Sequence, residues 1–242
     1  MTRRQFAVCW VAAAAPGESW PISHTHDHVQ GLEVDPDWFW ISAVDRRTKT
    51  GWIWRVDRRT LRTVAERNVT AGALYHPGGL QIAGGSLWLP IAEYRPRSSA
   101  RILELDPLSL AERRRFAVDD HIGAVATDGK TFLLGANWDA RRFYRWTLDG
   151  KLVETRDNPE PLAIQDMKWV DGALWAGGLV GEECRLYRLD PASFRAARRI
   201  ELPAGVCYTH EGMAVFDGRF YFLPEDEPRT RVYSMAMGAT PR

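Results

Sequence analysis

The sequence predicts an all-β chain folded as a five-bladed β-propeller, and three observations carry that reading. A short phrase recurs as Gly31-Leu32-Glu33-Val34, Gly79-Leu80-Gln81-Ile82, Gly123-Ala124-Val125-Ala126, Asp166-Met167-Lys168-Trp169 and Gly212-Met213-Ala214-Val215. By these residue numbers the intervals are 48, 44, 43 and 46, close to the roughly 40–45 residues of a four-stranded propeller blade. Each phrase opens a strand-like apolar run, a turn follows, and a second apolar run comes after it, while no segment sustains a helical period.

The elements follow in chain order. The turns are Pro36-Asp37, Gly84-Gly85, Asp128-Gly129, Asp171-Gly172 and Asp217-Gly218, residue pairs suited to tight hairpins. Second strands follow them at Trp38 to Ile41, Ser86 to Leu89, Thr131 to Leu134, Ala173 to Trp175 and Arg219 to Phe222, rich in aromatic and branched residues. Third strands read Trp52 to Asp57, Arg101 to Asp106, Phe143 to Trp146, Arg185 to Asp190 and Arg231 to Met235, alternating apolar with charged residues so that one side faces the core and the other solvent. The last repeat supplies only three strands, so ring closure requires a fourth from the other terminus, and Trp20 to Ser23 is placed to provide it. Most of the 11 Trp fall in these strands and are read as packing between blades.

The 242 residues, 45% hydrophobic and 26% charged, suffice for one domain with a substantial core. A net charge of +1 argues against a nucleic-acid binder, and the basic residues, mostly Arg with Lys at Lys49, Lys130, Lys151 and Lys168, alternate with acids along outer strands and read as solvated blade edges that block edge pairing. Residues 1–15 read as a twin-arginine export signal: Thr2-Arg3-Arg4-Gln5-Phe6 precedes an apolar stretch to Ala15 that is too short to span a bilayer. The alternative is that Phe6 to Ala12 forms an outer strand. On the export reading residues 16–242 form one mature periplasmic or secreted domain, monomeric and with no membrane partner. Cys184 and Cys207 then stand in an oxidising compartment, either bridged or as two separate thiols.

Function concentrates where loops converge. All six His precede a first strand: His24, His26, His28, His76, His121 and His210, with Gln165 and Asp166 at the equivalent place in blade four. Glu93, Asn137 with Asp139, and Glu225 with Asp226 end second strands. In a propeller both sets meet on one face, around the mouth of the central channel. The expected ligand is a small polar molecule or a divalent metal, calcium or zinc. Glu93, Asn137 and Asp166 form the expected metal set; His28, Gln30, His121, Gln165, His210 and Glu225 are expected to bind ligand, and His76, Glu93, Asp166 and Glu211 to act in catalysis. Gly177 and Gly178 leave a gap in this rim.

Three resemblances attach to these residues. Tyr75-His76-Pro77-Gly78-Gly79, Trp88 to Pro96, Asp119 to Gly123 and Arg142 to Trp146 resemble the signature segments of a family of exported bacterial proteins known only as a domain of unknown function. Gln30-Gly31-Leu32-Glu33 and Trp169-Val170-Asp171-Gly172 resemble glutamine cyclotransferases, five-bladed propellers that close an N-terminal Gln to pyroglutamate. That likeness implies a substrate-pocket role for Gln30, but Gly78 stands where the family has its catalytic Glu, and no Lys matches near Glu225. Glu211-Gly212, Asn137 and Asp166 are similar to the cation ligands of calcium-dependent lactonases of the regucalcin type, which have six blades; the likeness implies a metal-assisted hydrolase. A non-catalytic binding propeller is the remaining reading.

Overall fold

The computed structural model describes residues 9–12, 17–23, 28–225 and 230–238. Five antiparallel sheets radiate from one axis. Blade one comprises His28–Val34, Trp38–Asp45, Thr50–Asp57 and Thr63–Asn68. Blade two has a split inner strand, Leu74–Pro77 and Gln81–Ala83, followed by Ser86–Glu93, Ala100–Leu105 and Glu112–Val118. Blade three runs Ile122–Thr127, Leu133–Asn137, Arg142–Trp146 and Leu152–Asp157, and blade four Ala163–Val170, Ala173–Val180, Glu183–Leu189 and Ala196–Glu201. Gly212–Phe216, Arg219–Leu223 and Arg231–Ala236 make blade five, and Ser19–Pro21 closes it antiparallel, with Trp20 opposite Val232. The ring is therefore sealed by the N-terminal region as the sequence predicts.

The Cys9–Ala12 segment pairs in parallel with Arg198 to Glu201 on the outer edge of blade four. The rest of the expected export signal, residues 1–8 and 13–15, lies outside the described residues, as do His24, His26 and Asp226. Cys184 and Cys207 are joined in a disulfide, their Cα atoms 5.4 Å apart.

Five apolar clusters hold the ring, one at each seam between neighbouring blades. Leu32 and Ile41 pack with Ala214 and Leu223 across the seam of blades five and one. Trp40 and Ile53, one residue out of phase, pack with Leu80 and Leu89 of blade two. Successive side chains of a strand point to opposite faces, and here both faces meet a neighbouring blade. The second strands are accordingly buried on both sides, from Phe39 to Val44 and from Ser86 to Ala92. Solvent-facing positions appear instead on third strands, where Arg188 is exposed, and on outer strands such as Thr63–Asn68.

Glycines at or beside the recurring phrase mark close approaches of inner strands. A Cβ at Gly31 would lie 2.7 Å from the Gly78 carbonyl oxygen, one at Gly212 would lie 2.8 Å from the Gly31 carbonyl carbon, and one at Gly78 would overlap the Gly123 carbonyl. Room for no side chain at Gly78 and Gly79 lets backbone reach backbone: Gly79 N donates to Gly123 O at 2.8 Å and Val125 N to Gly79 O at 3.1 Å. This pairing with blade three is what splits the inner strand of blade two.

Blade four breaks the phrase with Asp166, and its carboxylate occupies the axis. One oxygen accepts from Leu32 N at 3.2 Å and Met213 N at 3.0 Å; the other accepts from Met167 N at 2.8 Å and Lys168 Nζ at 2.6 Å. Lys168 also donates to Leu80 O at 2.5 Å. Both side chains are 0% exposed, so Lys168 is no solvated edge residue; the pair ties blades one, two, four and five. Gln81 performs a similar task below, its Oε1 accepting from Thr127 N and Trp169 N.

Glu33 adds a pH-sensitive element. Burial pushes its carboxyl up from an ordinary 4.5 to about 7, against the pull of Lys168 and of the Ile82 and Val34 amides. Below about pH 4.5 both folded and unfolded chains hold the proton; between there and pH 7 only the folded chain does, so this group's unfavourable contribution grows with pH and is complete above 7. Glu33→Gln, which retains an acceptor oxygen, is expected to match the wild type in melting temperature at pH 5 and to exceed it at pH 8. Parallel melting temperatures across that range would refute the assignment.

Candidate functional site

Four inner strands open with a β-bulge. Pairing skips one residue between Val29 and Gly31, between Leu74 and His76, between Ile122 and Ala124, and between Ile164 and Asp166. The extra residues are Gln30, Tyr75, Gly123 and Gln165. A bulge bends its strand and re-aims a side chain, and Gln30, Gly123 and Gln165 all line a mouth cavity of about 180 Å³ together with His28, His76, Tyr94, His121, Trp138 and Glu211. Blade five has no bulge, and Glu211 enters from the residue before its inner strand.

The mouth has a polar side and an aromatic side. His28 Nδ1 bonds the Glu225 carboxylate at 2.8 Å, which fixes the proton on Nδ1 and leaves Nε2 to accept from Gln30 Nε2 at 2.7 Å. Gln30 Nε2 also donates to Glu211 Oε2 at 3.1 Å. Arg46, half-exposed, pairs with the same Glu225 oxygen. On the other side Tyr94 stacks on His76 with centroids 4.2 Å apart and planes 12° apart, and His121 meets Trp138 edge-on at 4.7 Å. His121 Nδ1 donates to the carbonyls of Glu93 and Arg95 at 2.9 and 3.1 Å.

Burial shapes the acidity of these groups. Desolvation first, then the nearby Glu225 charge, hold the Glu211 carboxyl well above the usual range. Desolvation, with His121 and His28 adding to it, holds His76 well below the usual imidazole value. Glu225 moves the other way, lowered chiefly by the hydrogen bond from His28. His76 Nδ1 is buried without a hydrogen-bond partner among the described residues.

Several expected site residues stand elsewhere. Glu93 turns aside, accepting from Arg95 at 2.8 Å and from Ser99 at 3.1 Å. Asp166 is enclosed on the axis, where Lys168 and three backbone amides take up both oxygens. Asn137 lines the mouth but is engaged on both sides, donating to Asp120 at 2.9 Å and accepting from Arg142 N at 2.8 Å. The set Glu93, Asn137 and Asp166 therefore does not come together as a cation cage. Among the described residues the grouping that does form is His28, Glu211 and Glu225, whose ligand atoms lie within 4.8 Å of one another. His210 is half-buried and is not among the residues that line the cavity. The expected gap at Gly177 and Gly178 is filled: a Cβ at Gly177 would meet Met213 Sδ at 2.9 Å, and Thr209 donates to Gly178 O at 2.9 Å. Tyr94 and Trp138 were not expected in the site; each directly follows a residue that was, Glu93 and Asn137.

A family model described as a family of unknown function, DUF6454, matches residues 10–173. The chain belongs to the DUF6454 family. Among solved structures, this DUF6454 protein is similar to a glutaminyl cyclase from Myxococcus xanthus, with a TM-score of 0.72 and 14% identity over 94% of this chain and 97% of the other. It is also similar to a calcium-binding protein, regucalcin, from Agrobacterium tumefaciens str. C58, with a TM-score of 0.58 and 11% identity over 96% and 97%. A protein of unknown function from Bacteroides caccae gives 0.55 and 11% over 87% and 78%. At these identities the likeness establishes the propeller fold, and no curated protein matches the sequence.

Proposed function

We propose that this DUF6454 protein is exported and that its mouth binds a small polar molecule or a divalent cation, calcium or zinc, as the active site of a hydrolase acting on lactone-type esters. The observation that carries the ligand reading is His76: 7% exposed, stacked on Tyr94, its Nδ1 without a partner among the described residues, in a cavity shared with Gln30 and Glu211. A buried polar atom left unpaired costs roughly 1–3 kcal/mol, and a ligand that supplies its partner recovers that cost. The cavity of about 180 Å³ lies below the roughly 300–1,000 Å³ of drug-sized pockets and suits a ligand of few atoms. Export is supported by the Arg3-Arg4 pair and by the Cys184–Cys207 bridge, since disulfides persist in oxidising compartments.

The second reading is glutamine cyclisation, favoured by Gln30 in the mouth and by the shared fold with a glutaminyl cyclase. In that reaction the α-amine nitrogen bonds to the side-chain amide carbon, the bond from that carbon to its NH2 breaks, and the proton given up by the amine leaves on that nitrogen as ammonia. An acid at position 78 has no space beside the Gly123 carbonyl; the buried acid of this mouth is Glu211, on the blade-five side.

The test uses protein recovered from its native host, with its N terminus sequenced to establish whether residues 1–15 are removed. Melting is followed with calcium, zinc, millimolar lactones, small amides and peptides beginning in Gln, because a ligand bound only by the folded state raises the melting temperature. At least one class is expected to stabilise the wild type, with the shift lost in Gln30→Ala and His76→Phe. No shift from any compound or cation would end the ligand reading, and pyroglutamate formation would select the second reaction.

A further inference from the structure

Two carboxylates and an imidazole converge where the first and last blades meet. His28 comes from the inner strand of blade one, Glu211 from the entry to blade five, and Glu225 from the exit of its second strand. His28 is 9% and Glu211 4% exposed. His28 Nε2 lies 3.9 Å from Glu211 Oε1, and the three ligand atoms fall within 4.8 Å of one another. An independent feature points to a guest at this place: a second imidazole, His76, lies with its ring centroid 6.4 Å from that of His28, and its Nδ1 has no partner among the described residues.

We propose that His28, Glu211 and Glu225 form a three-ligand site for a borderline divalent metal of the zinc class, open toward the mouth, and that Arg46 is the cation it displaces. The inference rests on the mouth being a ligand and cation site and narrows it in two ways. Calcium takes six to eight oxygens, more than two carboxylates and one amide provide, and it gains nothing from imidazole. One nitrogen and two carboxylates, with a position left for water, match the three-ligand pattern of open zinc sites. Arg46 marks the place of positive charge. Its guanidinium pairs with the Glu225 oxygen that His28 also holds, and its side chain is 52% exposed, so it can swing into solvent when a metal arrives. A metal drawing on Glu225 must compete with that guanidinium, whereas Glu93, held by Arg95 and Ser99, takes no part.

Zinc and calcium are titrated separately into metal-stripped, folded protein, with affinity read by competition against a chromogenic chelator. Zinc is expected to bind one to one and calcium at least tenfold more weakly. His28→Ala is expected to weaken zinc by more than about 100-fold, beyond what losing a supporting partner costs a metal site. Glu225→Gln, which preserves size, guards against a folding artefact in that variant and is expected to weaken zinc as well. Arg46→Gln is the discriminating variant: removal of an exposed ion pair is expected to tighten zinc roughly two- to fivefold, a gain that structural damage does not produce. Glu93→Ala is expected to leave affinity unchanged. Preference for calcium, loss of binding in Glu93→Ala, or weaker binding in Arg46→Gln would overturn this ligand set while leaving the mouth a cation site. Binding of neither metal overturns the proposal too, and small-molecule stabilisation of the same protein then shows whether the ligand reading survives.

Discussion

Asp166→Ala is expected to lower the melting temperature by roughly 6–20 °C, the largest effect of any single side-chain truncation in the mouth or on the axis. The substitution leaves the Lys168 ammonium enclosed with the Leu80 and Met167 carbonyls as its remaining partners, and deprives the Leu32 and Met213 amides of their acceptor. Breaking a buried ion pair from one side costs about 3–5 kcal/mol, and in a domain of this size each kcal/mol moves the midpoint by about 2–4 °C. Because the pair bridges four blades, the loss is felt by the whole ring rather than by one seam. The cost belongs to the unpaired partner, so removing both charges should restore much of it: Asp166→Asn combined with Lys168→Met is expected to be more stable than the sum of the two single changes, with a coupling readable from the double-mutant cycle. Additive single effects, or a stable Asp166→Ala protein, would show that the axial pair is not what holds the blades. Activity or ligand binding lost without any loss of stability would return Asp166 to the catalytic role that the sequence reading gave it.

The boundary between what could and could not be read from the chain runs through single residues. Blade number, strand order and N-terminal closure follow from a 43- to 48-residue period and its turn pairs, features that survive any local irregularity. The collection of His28, Gln30, His76, His121 and Gln165 at one mouth follows from the same period, since equivalent positions in a rotational repeat fall on one ring. Parity is what the sequence conceals. Glu93 and Tyr94 are neighbours, and alternation along a strand sends one to Arg95 and Ser99 and the other onto His76. Gln165 and Asp166 divide in the same way between mouth and axis. A bulge adds one residue without disturbing the apolar pattern around it, so neither period nor composition reveals which of two adjacent polar residues is turned outward. Lys168 escaped for a related reason: one basic residue among 32 reads as solvated until its partner is seen to lie on the axis.

A glycine just ahead of the recurring phrase yields the other large effect, and it contrasts with a glycine inside the phrase. Gly78→Ala is expected to be severely destabilising, abolishing soluble folded protein or lowering the melting temperature by more than 10 °C on the roughly 2–4 °C per kcal/mol scale. Its Cβ would overlap the Gly123 carbonyl, a backbone atom held by Gly79 N at 2.8 Å and unable to retreat without parting two blades. Overpacking of this kind is costly when no flexible side chain is available to move. Gly123→Ala is the matched control. The nearest atom to a Cβ there is 3.9 Å away, on Ala136 O, and the residue has no positive φ, so alanine removes only the unfolded chain's extra freedom and is expected to be neutral or slightly stabilising. Gly123 also lines the mouth, so its added methyl narrows the cavity and is expected to weaken ligand binding while stability holds. A tolerated Gly78→Ala would mean that the inner strands of blades two and three are not in register as described. The same crowding bears on chemistry: an acid cannot be installed at position 78 by one substitution, so proton transfer in this mouth falls to groups that enter from other blades, Glu211 foremost among them.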